Sequence, residues 1–139
     1  MRGGSQMPKS PGKTARPKKT AGRFRIKRVY EPASKDDGLR VLVDRLWPRG
    51  IAKKKAHIDL WLRDLSPSDQ LRRMVHADPA KWDEFVKAYG RELKREPART
   101  AFADLRKLPR SRPVTLLYAA RDEAHNNAVA LKRLLGRAK

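Results

Sequence analysis

The run VTLLYAA, residues 114–120, constrains this chain more than any other stretch. It is uncharged, of strand length, and closed off by Pro113 and Arg121. A continuous apolar run this short reads as a strand covered on both faces rather than as one side of an exposed element. A second such run, VLV, sits inside LRVLVDRLW and is stopped by Pro48, Arg49 and Gly50. FRIKRVY at residues 24–30 alternates and carries β-branched and aromatic side chains, which suits a third strand. The Pro/Ser/Asp/Gly cluster EPASKDDG separates the first two strands as a loop.

The intervening segments have helical periodicity. Ile58, Trp61, Leu62 and Leu65 recur at the spacing of one helix face. Ser66 is placed to cap a following helix, with Pro67 at its first position, Asp69 in its first turn, and Leu71, Met74 and Val75 as its apolar stripe. Asp78 and Pro79 open another, whose face is Trp82, Phe85, Val86, Tyr89 and Leu93. Ala101, Leu105 and Leu108 mark a short helix before PRSRP. The C-terminal segment RDEAHNNAVALKRLLGRAK reads as a helix with Ala124, Ala128, Leu131 and Leu135 against the sheet and Gly136 as its C-cap. Strands separated by helices of this length predict a single α/β domain: a small, mostly parallel sheet of three to four strands flanked by helices.

Residues 1–25 differ in kind. They hold eight of the 35 basic residues and none of the 15 acids, amid Pro, Gly, Ser and Thr, and offer almost nothing to bury. They are expected to form a disordered basic tail ahead of a domain over 26–137. Such an arm either adds sequence-independent attraction to phosphate backbones or is a solvated extension. The formal net charge of +20 favours anionic partners, whether nucleic acid, nucleotides, phosphorylated metabolites or anionic membrane surfaces. The absence of cysteine excludes disulfides, thiolate metal sites and cysteine nucleophiles. No apolar run approaches the length of a membrane span, and no secretory h-region is present, so a cytoplasmic protein is expected.

Four separated motifs occur in order: RVY.P, DG.R.LVDRLWPRG, DP..W.EF...Y..EL and LLYAA.D..HN.A. Through them, residues 27–135 resemble the YeaO-like family, a bacterial domain of unknown function. The resemblance implies a compact α/β domain and no established reaction. Similar proteins usually place a histidine directly before the DP pair. Ala77 stands there in this chain and His76 is shifted by one, which leaves any role of His76 open. Some members carry transcription-regulator or methyltransferase names, but no recognition-helix pattern or Gly-rich cofactor loop is present here to support either.

In open parallel sheets ligands bind beyond the carboxyl ends of strands. DRLWPRG (44–50) and RDEAHNN (121–127) both follow apolar strands, so they are expected side by side at one end of the sheet. Arg45 and Arg49 are candidates to grip an anion, Trp47 to stack on a ring, and Arg121, Asn126 and Asn127 to add hydrogen bonds. The alternative is structural: Trp47 plugs the sheet end and the arginines pair with Asp44, Asp122 or Glu123. His125, with Asp122 or Asp44, is the candidate acid/base group of an enzyme acting on a phosphorylated or otherwise anionic substrate. His57 beside KKK reads as a surface residue. No metal-ligand spacing or nucleophile elbow occurs, so neither a metal nor an organic cofactor is expected. The leading expectation is a module that binds an anionic small molecule or nucleic acid, with the enzyme as its alternative.

Overall fold

The computed structural model describes residues 23–137. Four strands form one sheet: β1 (Phe24–Arg28), β2 (Leu39–Leu42), β3 (Leu60–Trp61) and β4 (Val114–Tyr118). Their order is β1-β4-β2-β3, and every neighbouring pair is parallel. The run VTLLY is therefore interior, with all five residues buried, and β2 lies directly beside it. Among the described residues five α-helices connect or follow the strands: α1 (Lys53–Ala56), α2 (Asp69–Ala77), α3 (Trp82–Glu92), α4 (Ala98–Arg106) and α5 (Asn127–Arg137).

Alternation along the strands divides the core in two. Phe24, Val41, Val43, Val114, Leu116 and Tyr118 face the main core, which α2 to α5 complete with Val75, Phe85, Tyr89, Leu105 and Leu131. Leu42 and Leu117 face the other way. They meet Val29, Trp47, Ile51, Ile58 and Trp61, so loop residues and the edge strand cover this face in place of long helices.

The expected helix over 58–65 does not form. Asp59 N donates to Arg40 O at 2.8 Å and Leu62 N to Leu42 O at 3.0 Å, so the segment adds β3 to the sheet edge. Its apolar residues match a helix spacing for a different reason. Ile58 and Trp61 cover the second face, whereas Leu62 and Leu65 reach the main core. The chain is wrapping an edge here and serves two cores, which one-face periodicity does not distinguish.

Helix α2 is capped by Ser68 rather than Ser66. The Ser68 Oγ accepts from Leu71 N at 3.3 Å, whereas Ser66 closes the preceding 3-10 turn. At the chain's end, Ala124 is exposed in a turn and α5 starts only at Asn127. Asp122 Oδ1 accepts from both Ala124 N and His125 N at 2.9 Å, which satisfies those amides outside any helix. Gly136 lies within α5 rather than beyond it. Strand β1 starts at Phe24, inside the stretch assigned to the tail, and Arg23 and Arg25 are tied to the body through Leu108 O and Asp36 O. The rest of that expectation, residues 1–22, lies outside the described residues.

At the amino ends of the strands, Asp37 and Arg40 are buried together. Asp37 accepts from Arg40 Nη1 at 2.5 Å, Lys27 Nζ at 3.0 Å and Ser34 N at 3.0 Å. Arg40 also donates through Nε to His57 O at 2.9 Å and through Nη2 to Ala56 O at 3.3 Å. Gly38 makes the preceding turn possible. Its φ is +65°, and a Cβ there would fall 2.1 Å from Pro113 O.

Candidate functional site

At the opposite, carboxyl end of the sheet, the two predicted loops share the walls of one cavity of about 330 Å³. Residues 44–49 and the 119–127 segment both line it. Their contact is direct. Asp44 Oδ2 accepts from Ala119 N at 2.9 Å, and Asn127 Nδ2 donates to Val43 O at 2.9 Å. The predicted adjacency follows from β2 and β4 being parallel neighbours.

Asp44 lies on the cavity floor. Burial pushes its carboxyl above the usual range, against the hydrogen bonds from Asn127 and Ala119 and the field of Arg72. Trp47 is half-buried. Its indole N–H donates to Ile51 O at 2.6 Å, and its ring meets Trp61 edge-on at 5.5 Å. It thus serves the second core, as the structural alternative has it, while still lining the cavity. Trp61 Nε1 in turn donates to Asp44 O at 2.8 Å, fixing the start of the loop.

Arg45 finds its acceptor elsewhere than expected. Its Nη2 lies 2.6 Å from Asp69 Oδ1, at the start of α2, rather than beside Asp44, Asp122 or Glu123. Asp69 also accepts from Arg72, so one carboxylate bridges a loop arginine and a helix arginine. These hydrogen bonds hold Asp69 below the usual carboxylate range. Arg45, Asp69, Arg72, Arg73 and His76 line an adjoining cavity of about 290 Å³. Arg45, Arg72 and His76 belong to both. The Arg72 Nε–H is enclosed and has no partner among the described residues. Arg49 lines the larger cavity, and its carbonyl accepts from Tyr30 Oη at 2.9 Å.

His125 stands on the other wall. Its Nδ1 is 3.1 Å from Asp122 Oδ2, and its ring meets Trp82 edge-on at 5.2 Å. The backbone N–H groups of His125 and Ala124, followed by the imidazole, hold Asp122 below the usual range. Asn126 is buried and committed. It donates to Asp122 O at 2.9 Å and accepts from Val129 N at 3.0 Å, which makes it the capping side chain of α5. The Asn127 amide is committed as well, to Val43 O just beyond β2 and to the Asp44 carboxylate. Arg121 is exposed and lies outside the cavity lining. His57 is exposed at the end of α1, with φ of 52° and its carbonyl bound to Arg40. Among the described residues no cluster of three or more His, Asp or Glu is placed to hold a metal ion, and no helix is long and apolar enough to cross a membrane.

Arg72, Arg73 and His76 were not legible as site residues. Arg72 and His76 are one turn apart on α2, but nothing local says that α2 starts beside the end of β2. What fold and site define together is a small all-parallel α/β protein with a cationic cleft at the carboxyl ends of its two interior strands.

Within that class, the chain belongs to the family described as the inactive DUF488-N3 subclade, which matches residues 23–138. It is 43% identical over 113 residues to an uncharacterized protein of Mycobacterium tuberculosis, covering 81% of this chain and 93% of that one. A Mycobacterium bovis protein, also uncharacterized, matches to the same extent. The uncharacterized protein YeaO of Escherichia coli is 42% identical over 109 residues, covering 78% and 92% of the two chains. The YeaO-like resemblance carried by the four motifs is thus borne out. No solved structure matches the chain.

Proposed function

We propose that this protein binds a small anionic ligand through a phosphate or equivalent oxyanion at the carboxyl ends of β2 and β4. One observation carries the reading: Arg45, Arg72, Arg73 and His76 converge on a cavity whose lining contains a single acid, Asp69. Guanidinium groups fit oxyanions through planar, paired donors, and the enclosed, unpaired Nε–H of Arg72 belongs to one of them. The position is where open parallel sheets take ligands. The net charge of +20 raises the local concentration of anions. The word "inactive" in the family's description favours binding over turnover. We place this role in the cytoplasm, among phosphorylated metabolites. Calorimetric titration with inorganic pyrophosphate at low ionic strength tests it. Saturable binding that weakens with salt and is lost in Arg72→Ala is the expected result, and no heat of binding overturns the reading.

The geometry of His125 favours a second reading, an enzyme acting on a phosphorylated substrate. With Nδ1 directed at Asp122, Nε2 is left to accept or deliver a proton. Hydrolysis of p-nitrophenyl phosphate that disappears in His125→Gln supports this; an inert wild-type protein removes it. A nucleic-acid partner draws instead on the eight basic residues of the first 25. Binding of a labelled oligonucleotide that survives deletion of residues 1–22 would move that contact to the body of the protein.

A further inference from the structure

The two adjoining cavities differ in chemistry. The smaller is lined wholly by charged and imidazole side chains. The larger offers mostly apolar surface, from Trp47, Pro48, Val75 and Phe85 among others, with Leu46 at 65% exposure beside them. An apolar cavity with a few convergent polar groups is the usual form of a site for an organic ring. Trp47 contributes ring surface only, since its N–H is taken by Ile51 O.

Asp44 is the one acid lining the larger cavity. Ala119 N and the Asn127 side chain hold its carboxylate in place. An ionised carboxylate has about four acceptor positions and no donor, so two bonds leave capacity to receive more. A group placed against it must therefore present N–H or O–H. The shared residues Arg45, Arg72 and His76 fix how such a group is joined to the anion: both ends of one molecule reach the same three side chains. Volumes of about 290 and 330 Å³ together match a ligand of nucleotide size, since small-molecule sites run from roughly 300 to 1,000 Å³.

We propose that the occupant is a nucleoside monophosphate, its phosphate between Arg45, Arg72, Arg73 and His76 and its base in the apolar cavity with an N–H edge on Asp44. The inference rests on the anion reading of the same site. It also sets an order among bases. Guanine presents two adjacent donors to a carboxylate. Uracil presents one N–H flanked by two carbonyls, which the carboxylate repels.

Titration of the full chain with GMP, UMP, ribose 5-phosphate and inorganic phosphate tests the assignment. GMP is expected to bind on the order of tenfold or more tighter than UMP and ribose 5-phosphate, as for a buried acceptor that is matched in one ligand and not in the others. Asp44→Asn should bring the GMP and UMP affinities to within about threefold of each other. Equal binding of GMP and ribose 5-phosphate overturns the nucleotide assignment and leaves the anion site standing. Equal binding of GMP and UMP, both above ribose 5-phosphate, overturns the role of Asp44. If none of the four binds, the anion site falls as well. Should Asp44→Asn fail to fold, the wild-type ranking decides alone.

Discussion

Replacing Asp37 by alanine should be among the most damaging single changes in this protein, and it should spare the proposed ligand site. The side chains of Arg40 and Asp37 are 6% and 9% exposed and 2.5 Å apart. Removing the carboxylate leaves the Arg40 guanidinium with only the carbonyls of His57 and Ala56, both neutral. Lys27, at 18% side-chain exposure, can turn to water, whereas Arg40 cannot. A buried charge stripped of its partner costs about 3–5 kcal/mol. For a domain of this size that corresponds to a fall in melting temperature of roughly 12–20 °C. Urea denaturation followed by circular dichroism measures it, with an unchanged m-value as the check on two-state behaviour. The cycle with Arg40→Met isolates the pair: the double variant should fall about 2 kcal/mol short of the sum of the singles. Loss below about 1 kcal/mol in Asp37→Ala, or additivity in the cycle, refutes the reasoning. Affinity for pyrophosphate should be unchanged wherever the variant is folded, because Asp37 lies at the amino ends of the strands and the cavity at the carboxyl ends.

Further outcomes follow from the same contacts. Burial alone would raise the Asp37 carboxyl, but its bonds from Lys27, Ser34 N and Arg40 outweigh this and hold it below its ordinary 3.8. Its stabilising contribution is therefore complete above pH 3.8 and lost as the pH falls through the lower folded-state value; Asp37→Asn should flatten that acid limb of stability in a pH series of melts. Arg45→Ala should weaken pyrophosphate binding by tenfold or more, on the order of one charged hydrogen bond, with little change in melting temperature because Asp69 keeps Arg72. A large loss of stability with unchanged affinity would make Arg45 a clasp instead. Asn127→Ala should lower stability by about 1–3 kcal/mol in urea titrations, since Val43 O loses its donor from α5. Gly38→Ala should not yield a stable fold, judged by loss of the cooperative melt, because its Cβ would fall 2.1 Å from Pro113 O at a φ of +65°.

Three of the four strands, the neighbourhood of the two interior ones and the meeting of the two loops were legible from the residues alone. VLV and VTLLY are apolar at consecutive positions, and only interior strands bury both faces. A small sheet has few interior places, so the two runs had to be neighbours, and parallel neighbours carry their following loops to one end. Trp82, Phe85, Val86, Tyr89 and Leu93 likewise declared α3, because a single buried face leaves a single period. Tertiary structure alone decided which groups complete the site. The acceptor of Arg45 is Asp69, on an element 24 positions further along the chain, and the acids expected from nearby loops are not its partners. Arg72 and His76 reach the cavity because α2 begins beside the end of β2. The segment 58–65 shows the same limit: its apolar residues serve two cores on either side of a sheet edge, and a one-dimensional pattern cannot say which core each one meets. A side chain's burial is fixed by its own chemistry and its element's period. The identity of its partner depends on where distant chain returns, and that is settled only when the whole sheet and its helices have packed.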